Sequence, residues 1–445
     1  MIDINLIREK PDLVRENIKK KFQKDKLILV DKVIELDDKW RKLKYDEDVL
    51  RGDRNKISKE VGKFMKKGEK NMAEKLKIEA KKIPGKIEKI QEKRQELEKE
   101  IKSLMMKIPQ IIDDSVPLGK DDSENVELEK IGKPRKVNYE IMNHAELAEK
   151  LGGVDFDNSR KTSGNGFYYL KGDLALLHSA LLSYARDFMV KKGYEYNIPP
   201  FMIRSDVVKG VMSFEEMNDM MYKIEGEDLY LIGTSEHSMI GMFIDVTLNG
   251  KDLPYKLTSY SPCFRKEVGA HGIEEKGLYR VHQFEKQEMV VVCEPEDSMN
   301  FYEEMLAINV EFFKSLGLPI RKLECCSGDL ADLKVKSCDI EAWSPRRKEY
   351  FEVGSCSNLG DAQARRLGIV VEHKGKRYHP HTLNNTVVAS PRALIALMEN
   401  YQEKDGSIII PEVLQSYMLG KSTIDVPRKS SEKILLGAKK IEVKK

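Results

Sequence analysis

Cysteine is sparse in this chain: six thiols, Cys263, Cys293, Cys325, Cys326, Cys338 and Cys356, in 445 residues. None forms a CxxC pair or joins histidines at zinc-binding spacing, and a chain of this length needs no disulfide staples. The thiols read as reduced and structural, with a metal role for the adjacent Cys325 and Cys326 the weaker alternative. Long apolar runs are missing too, so no membrane span is indicated. The opening stretch MIDINLIREKPDLVREN is charged almost throughout and lacks the apolar segment of a secretion signal. A cytoplasmic protein without membrane contact is the expectation. Neither GxGxxG nor GxxxxGK followed by Ser or Thr occurs, so neither a Rossmann nor a P-loop nucleotide site is expected.

What the chain does have is charge, unevenly placed. The net +3 divides into 32 Lys+Arg against 22 Asp+Glu in residues 1–110, and 45 against 52 in the remainder. A basic first quarter on a mildly acidic body suits a polyanionic partner as well as it suits a solvated helix face. Within that quarter two heptad stripes run in succession. The first carries Val33, Leu36, Trp40, Leu43, Leu50, Ile57, Val61 and Phe64, with Glu47 and Arg54 interrupting the seam. The second carries Met72, Leu76, Ile83, Ile87, Ile90, Leu97, Ile101, Leu104 and Ile108. Lys66-Lys67-Gly68-Glu69 lies between them, and Gly68 can adopt the positive φ of a reversal. An antiparallel helical hairpin roughly 60 Å long follows from a rise of 1.5 Å per residue. Pro84-Gly85 should kink or locally unwind its return helix.

Four regions are expected: a helical hairpin domain over 1–110, a linker over 111–135 rich in Pro, Gly, Asp and Ser, a larger domain over 136–420, and a basic tail over 421–445. In the larger domain the spans 229–233, 255–265, 279–293 and 349–358 read as strands, and 298–316 and 391–402 as helices. Strands in succession, without regular βαβ alternation, favour an α+β fold on an antiparallel sheet. Period-two geometry over 279–293 gathers Arg280, His282, Phe284, Lys286 and Glu288 on one face. Arg265 and Glu267 share a face of the preceding strand, which loop 268–278 joins to it. Such faces either meet solvent or floor a site for a charged ligand.

These segments, with SGNGFYYLKGDLALL, GTSEH, CFRKE, RVHQFEKQE, SGDLA, CDIEAW, FEVGSCSNLGDAQARR and LNNTVVASPRALIALMENYQ, resemble the class II aminoacyl-tRNA synthetases, and among them the seryl-tRNA synthetase family. The likeness runs over nearly the whole chain. It implies a class II antiparallel sheet of six or seven strands flanked by helices, preceded by a coiled-coil hairpin. It also implies a homodimer joined through GYEYNIPPFMIRSD, with Pro200 its key proline.

By the same resemblance the activity is ATP-dependent formation of seryl-adenylate and transfer of L-serine to tRNA(Ser), with Mg²⁺ as cofactor; whether tRNA(Sec) is also charged stays open. Arg265 and Arg392 are the implied catalytic residues, with Lys266, Glu267, Val281, Phe284, Glu352, Val353, Gly354 and Ser355 completing the ATP site. Glu352 and Ser355 are the implied Mg²⁺ ligands; their opposite parity along an ideal strand requires a bend between them. Thr234, Ser235, Glu236, Glu288, Asn384 and Thr386, with Arg265, form the implied serine pocket. Lys63, Lys66, Lys67 and Lys70, at the hairpin tip, are the implied tRNA contacts. Gly354, Asn385 and the Ser390-Pro391 pair depart from the family's usual residues. A carrier-protein ligase, a non-catalytic RNA-binding paralogue and a synthetase for another amino acid are the rival readings. The hairpin argues against the first, the presence of Arg265, Glu288 and Arg392 against the second, and the hairpin with Glu288 against the third.

Overall fold

The computed structural model describes residues 1–213, 217, 219–267 and 277–427. Two short helices, α1 (Ile4–Glu9) and α2 (Pro11–Lys20), lead into the arm, α3 (Leu27–Lys66) and α4 (Lys70–Met105). The reversal falls at Gly68, whose φ of 79° is open to glycine at little cost. The base of the arm is its best-packed part, where Ile7, Val14, Ile18, Val30, Val33, Ile101, Met105 and Ile108 form one buried cluster. Toward the tip the seam thins: Ile83 and Ile87 are buried, but Met72 is exposed and Ala73 takes the seam position next to it. Helix α4 stays continuous through Pro84. The expected local unwinding is absent because buried Ile83 and Ile87 hold the turn on both sides of the missing backbone donor.

The polar interruption of the seam has a partner set. Glu47 is 1 % exposed and accepts hydrogen bonds from Arg51 and Gln91, and it pairs with Arg94 across the hairpin. These donors outweigh the cost of burial and hold its carboxyl down at about 2. A charged group that is satisfied in one register only pins the two helices against sliding. Arg54, by contrast, is exposed and off the seam.

The larger domain is built on eight strands: β1 (Val126–Ile131), β2 (Glu195–Asn197), β3 (Tyr255–Phe264), β4 (Gln283–Cys293), β5 (Ile320–Glu324), β6 (Lys336–Ser344), β7 (Glu349–Asn358) and β8 (His381–Ala389). Their spatial order is β1-β5-β6-β7-β8-β4-β3-β2, antiparallel throughout except for the β2–β3 pair. The sheet is thus larger than the expected six or seven strands. Its edge strand β1 comes from the segment expected to be plain linker. Strand β4 begins at Gln283, so Arg280 and His282 precede it and do not share its alternation. The tail expected over 421–445 lies largely outside the described residues, as does most of loop 268–278.

Helices α5 (Gly172–Lys191), α6 (Ser235–Gly241), α7 (Ser298–Ser315) and α8 (Ser390–Tyr401) flank the sheet. Met289, Val291 and Cys293 of β4 face a core shared with α5, α7 and α8. On the opposite face Val290 and Val292 join a smaller core with Met239 and Ile240 of α6. Phe284, Lys286 and Glu288 belong to that second face. The alternation of the strand therefore carries the charges away from the large core and toward the side on which α6 sits.

Candidate active site

Two adjoining cavities lie over β3, β4, β7 and β8, and they share Arg265, Lys286, Glu352 and Thr386 in their walls. The first is lined by Glu267, Tyr279, Arg280, Val281, Phe284, Val353, Gly354, Pro391 and Arg392 together with the shared residues. Arg265, just beyond β3, donates from Nε to the Gly233 carbonyl (3.1 Å) and stacks over Phe284, 5.2 Å from the ring centre. Arg392, at the start of α8, stacks over Tyr279 (5.0 Å) and donates from Nη1 to Glu352 Oε2 (2.6 Å). Pro391 at the first turn of α8 lacks the N–H that this turn would leave unbonded, which accounts for the Ser390-Pro391 pair. Glu267 holds a φ of 48°, an uncommon conformation for a non-glycine residue.

The second cavity is lined by Thr234, Glu236, His237, Glu288, Lys334, Ser355 and Asn384 among others. Thr234 caps α6 by accepting from the Glu236 N–H, and its hydroxyl donates to Glu288 Oε2 (3.4 Å). Lys286 and Glu288 form an ion pair in which both side chains are nearly buried. Glu236 accepts from Gln363 Nε2 (2.7 Å), and burial, reinforced by the Glu288 charge, pushes its carboxyl up to about 7. Burial, with Arg265 and Lys286 nearby, brings His237 down to about 3, so its ring is neutral. Thr386 stands opposite Glu288 on the neighbouring strand. Ser235 does not line either cavity: its hydroxyl is buried against Ser259 (2.7 Å). Lys266 does not line them either.

The bend that Glu352 and Ser355 required is a bulge. The β6–β7 register shifts between Ile340, opposite Gly354, and Glu341, opposite Glu352, which leaves Val353 as the extra residue. Both Glu352 and Ser355 consequently reach the second cavity. Gly354 sits where an added Cβ would lie 3.1 Å from the Thr386 carbonyl and 3.2 Å from Asn309 Oδ1, so a side chain there would crowd the bulge. Asn385 is buried and donates to the Met305 carbonyl (3.0 Å), a structural position behind the cavity floor.

Beside the bulge Asp339 stands opposite Ser355 on β6 and hydrogen-bonds to it. Burial and the Glu352 charge push Asp339 upward. Burial also opposes ionisation of Glu352, but Arg392, Lys334 and Arg265 outweigh it and hold that carboxyl below its ordinary range. Two carboxylates and a hydroxyl form a hard oxygen donor set of the kind magnesium takes when phosphates complete its shell. Among the described residues no group of three or more His, Cys, Asp or Glu could enclose a metal alone.

Several lining residues were not singled out from sequence. Lys286 was legible on the charged strand face. Tyr279 carried only its closeness to that strand, and His237 only its adjacency to Glu236. Lys334 and Asp339 carried no periodic or spacing signal. Of the tip lysines, Lys63, Lys66, Lys67 and Lys70 are all exposed around the Gly68 turn.

A seryl-tRNA synthetase N-terminal domain model matches residues 1–112, and a model of the class II tRNA synthetase core domain (G, H, P, S and T) matches residues 220–401. The serine–tRNA ligase of Methanoregula boonei is 44 % identical over 421 residues, covering 94 % of this chain and 99 % of that protein. That of Pyrococcus furiosus is 42 % identical over 451 residues, covering 96 % and 99 %. The crystal structure of seryl-tRNA synthetase from Pyrococcus horikoshii complexed with ATP superposes with a TM-score of 0.91 at 39 % identity, covering 96 % of this chain and all of that one. The cytoplasmic serine–tRNA ligase from Naegleria fowleri in complex with AMP gives 0.86 at 34 % identity, covering 96 % and 99 %.

Glu236 supplies a pH test. Its folded-state value lies above the ordinary 4.5, so the stability it contributes is complete below about pH 4.5 and is lost as the pH rises through 7. The melting temperature of the ligand-free protein should fall between pH 5 and pH 8. Glu236→Gln, which keeps an acceptor for Gln363, should remove about 1–3 kcal/mol of that fall. Parallel melting curves for the two proteins would contradict the assignment.

Proposed function

This chain belongs to the seryl-tRNA synthetase family, and from that premise we propose a role for each side chain of its two cavities. The enzyme activates L-serine with ATP and transfers it to tRNA. The observation that supports the assignment best is that the two cavities share Arg265, Lys286, Glu352 and Thr386 in their walls. A nucleotide in one and an amino acid in the other would meet at Arg265.

The first cavity takes ATP. Phe284 stacks on the adenine, Glu267 and the Val281 backbone hydrogen-bond its edge, and Val353 and Gly354 border the nucleotide, with Lys266 outside its walls. Arg265 holds the α-phosphate together with the serine carboxylate, and Arg392 holds the γ-phosphate. Arg392 must then exchange part of its pairing with Glu352 for the ligand. The serine carboxylate is already ionised at neutral pH, so its attack on the α-phosphorus requires no strong base. Alignment and charge stabilisation carry the step. Glu352 and Ser355, with Asp339 behind Ser355, would hold Mg²⁺, which when bound neutralises phosphate charge.

The second cavity takes serine. Glu288 accepts from the ammonium and the hydroxyl, Thr386 makes the second hydroxyl contact, and Glu236, Thr234 and Asn384 complete the polar wall. Ser235 acts behind that wall, through Ser259. Alanine leaves these groups unpaired and is rejected, by as much as roughly 10⁴-fold. The four regions 1–110, 111–135, 136–420 and 421–445 serve as tRNA-reading domain, linker, catalytic domain and basic tail. The protein works in the cytoplasm as a homodimer joined through the segment around Pro200. Exposed Ile198 and Met202 on that segment, beside edge strand β2, support this contact. The arm reads the shape and backbone of tRNA(Ser), as its exposed tip lysines suit.

Serine-dependent ATP–pyrophosphate exchange should be lost, by at least about 10³-fold, in Glu288→Ala. Retained exchange would remove Glu288 from the pocket. Replacing Lys63, Lys66, Lys67 and Lys70 together by Gln should leave exchange intact while lowering kcat/KM for tRNA and flattening its salt dependence. An unchanged salt slope would place the RNA elsewhere. Light scattering should report about twice the 51.2 kDa chain mass, and a single-chain mass would exclude the dimer.

A further inference from the structure

One wall of the second cavity is the irregular segment 330–334, from which Ala331, Leu333 and Lys334 line the space. The segment belongs to no helix or strand. Within the catalytic domain its backbone is held by the Leu330 N–H on the Cys326 carbonyl and the Lys334 N–H on the Ala331 carbonyl, and the corner between α2 and α3 adds further anchors from outside that domain. Lys21 Nζ donates to the Leu330 carbonyl (2.6 Å) and, more weakly, to that of Ala331 (3.4 Å). Gln23 Nε2 donates to Asp332 Oδ1 (2.8 Å), and Lys26 Nζ pairs with Asp332 Oδ2 (2.6 Å). At the base of the arm the Gln110 N–H donates to the Asp332 carbonyl (2.7 Å).

Lys21 is the unusual member of this set. It is 1 % exposed, and burial brings its ammonium down to about 8. A buried lysine without a carboxylate in hydrogen-bonding contact is rare and costly. Domain docking alone would be served as well by an apolar side chain of the same length. What an ammonium adds is two directed hydrogen bonds to successive carbonyls of a segment outside regular helix or strand.

We propose that Lys21 is a positioning residue for serine: through the carbonyls of Leu330 and Ala331 it sets the wall of the amino-acid cavity from within the tRNA-reading domain. The proposal rests on the reading of the second cavity as the serine site. Lys26 and Gln23, acting on Asp332, secure the same wall at its next residue. The first cavity takes no lining residue from segment 330–334, whereas Ala331, Leu333 and Lys334 line the second, so the larger effect falls on serine.

The test is Lys21→Met in the full-length chain, which keeps the volume and removes the donors. In ATP–pyrophosphate exchange the KM for serine should rise about tenfold, with kcat and the KM for ATP within twofold of wild type. A purely structural role would lower the melting temperature and shift both KM values together. Unchanged serine KM in the folded variant, or an equal rise for ATP, overturns the proposal. Should Lys21→Met fail to fold, Lys26→Gln removes only the partly exposed Asp332 pair and should raise the serine KM about threefold, and no rise there overturns it equally. A serine KM that responds to neither Lys21→Met nor Glu288→Ala would count instead against the placement of serine in this cavity.

Discussion

The burial of like and unlike charges within one pair of cavities is the constraint on which the rest of this structure depends. Lys286 and Glu288 are paired out of solvent, Glu236 stands close enough to Glu288 for that charge to disfavour its own ionisation, and Arg392 is held against Glu352. Such an arrangement gains little stability on its own, because desolvation offsets most of the attraction. It persists because the sheet leaves the charges no other place: β3, β4 and β8 fix their spacing, while Met289 and Val291 commit the opposite face of β4 to the large core. A site built this way is arranged before its ligands arrive, and reactions that proceed by alignment and charge stabilisation require that.

Two local irregularities convert a regular sheet into a site. The bulge at Val353 brings Glu352 and Ser355 to the same cavity, and the shift in the β4–β8 pairing between Thr386 and Val388 comes directly after Thr386, opposite Glu288. Gly354 belongs to the first of these devices, since the bulge brings its backbone close to the Thr386 carbonyl and to Asn309. A side chain at this position would have to displace one of those neighbours.

Much of this was legible in the sequence because it rests on period. The hairpin followed from heptads, and the charged floor from the alternation of Phe284, Lys286 and Glu288. The polar seam residue Glu47 stood out because it broke a pattern. What periodicity does not encode was not legible. Lys334 reaches the cavity on an irregular segment, Asp339 arrives by cross-strand pairing with Ser355, and Ser235 turns away from the cavity although its neighbours Thr234 and Glu236 do not. Strand β1, within an apparently structureless linker, is largely exposed and pairs on one side only, so no apolar alternation marks it. The roles of most pocket residues came from likeness to a family. The geometry adds how the chain holds them.

The central claim is that the cavity walled by Glu288, Glu236 and Thr386 selects serine. Amino-acid-dependent ATP–pyrophosphate exchange, run with the wild-type protein against each of the twenty amino acids, tests it most directly. Exchange with serine, and none above background with alanine, glycine or threonine, is the result this account predicts. Exchange supported equally well by any of those three would contradict it.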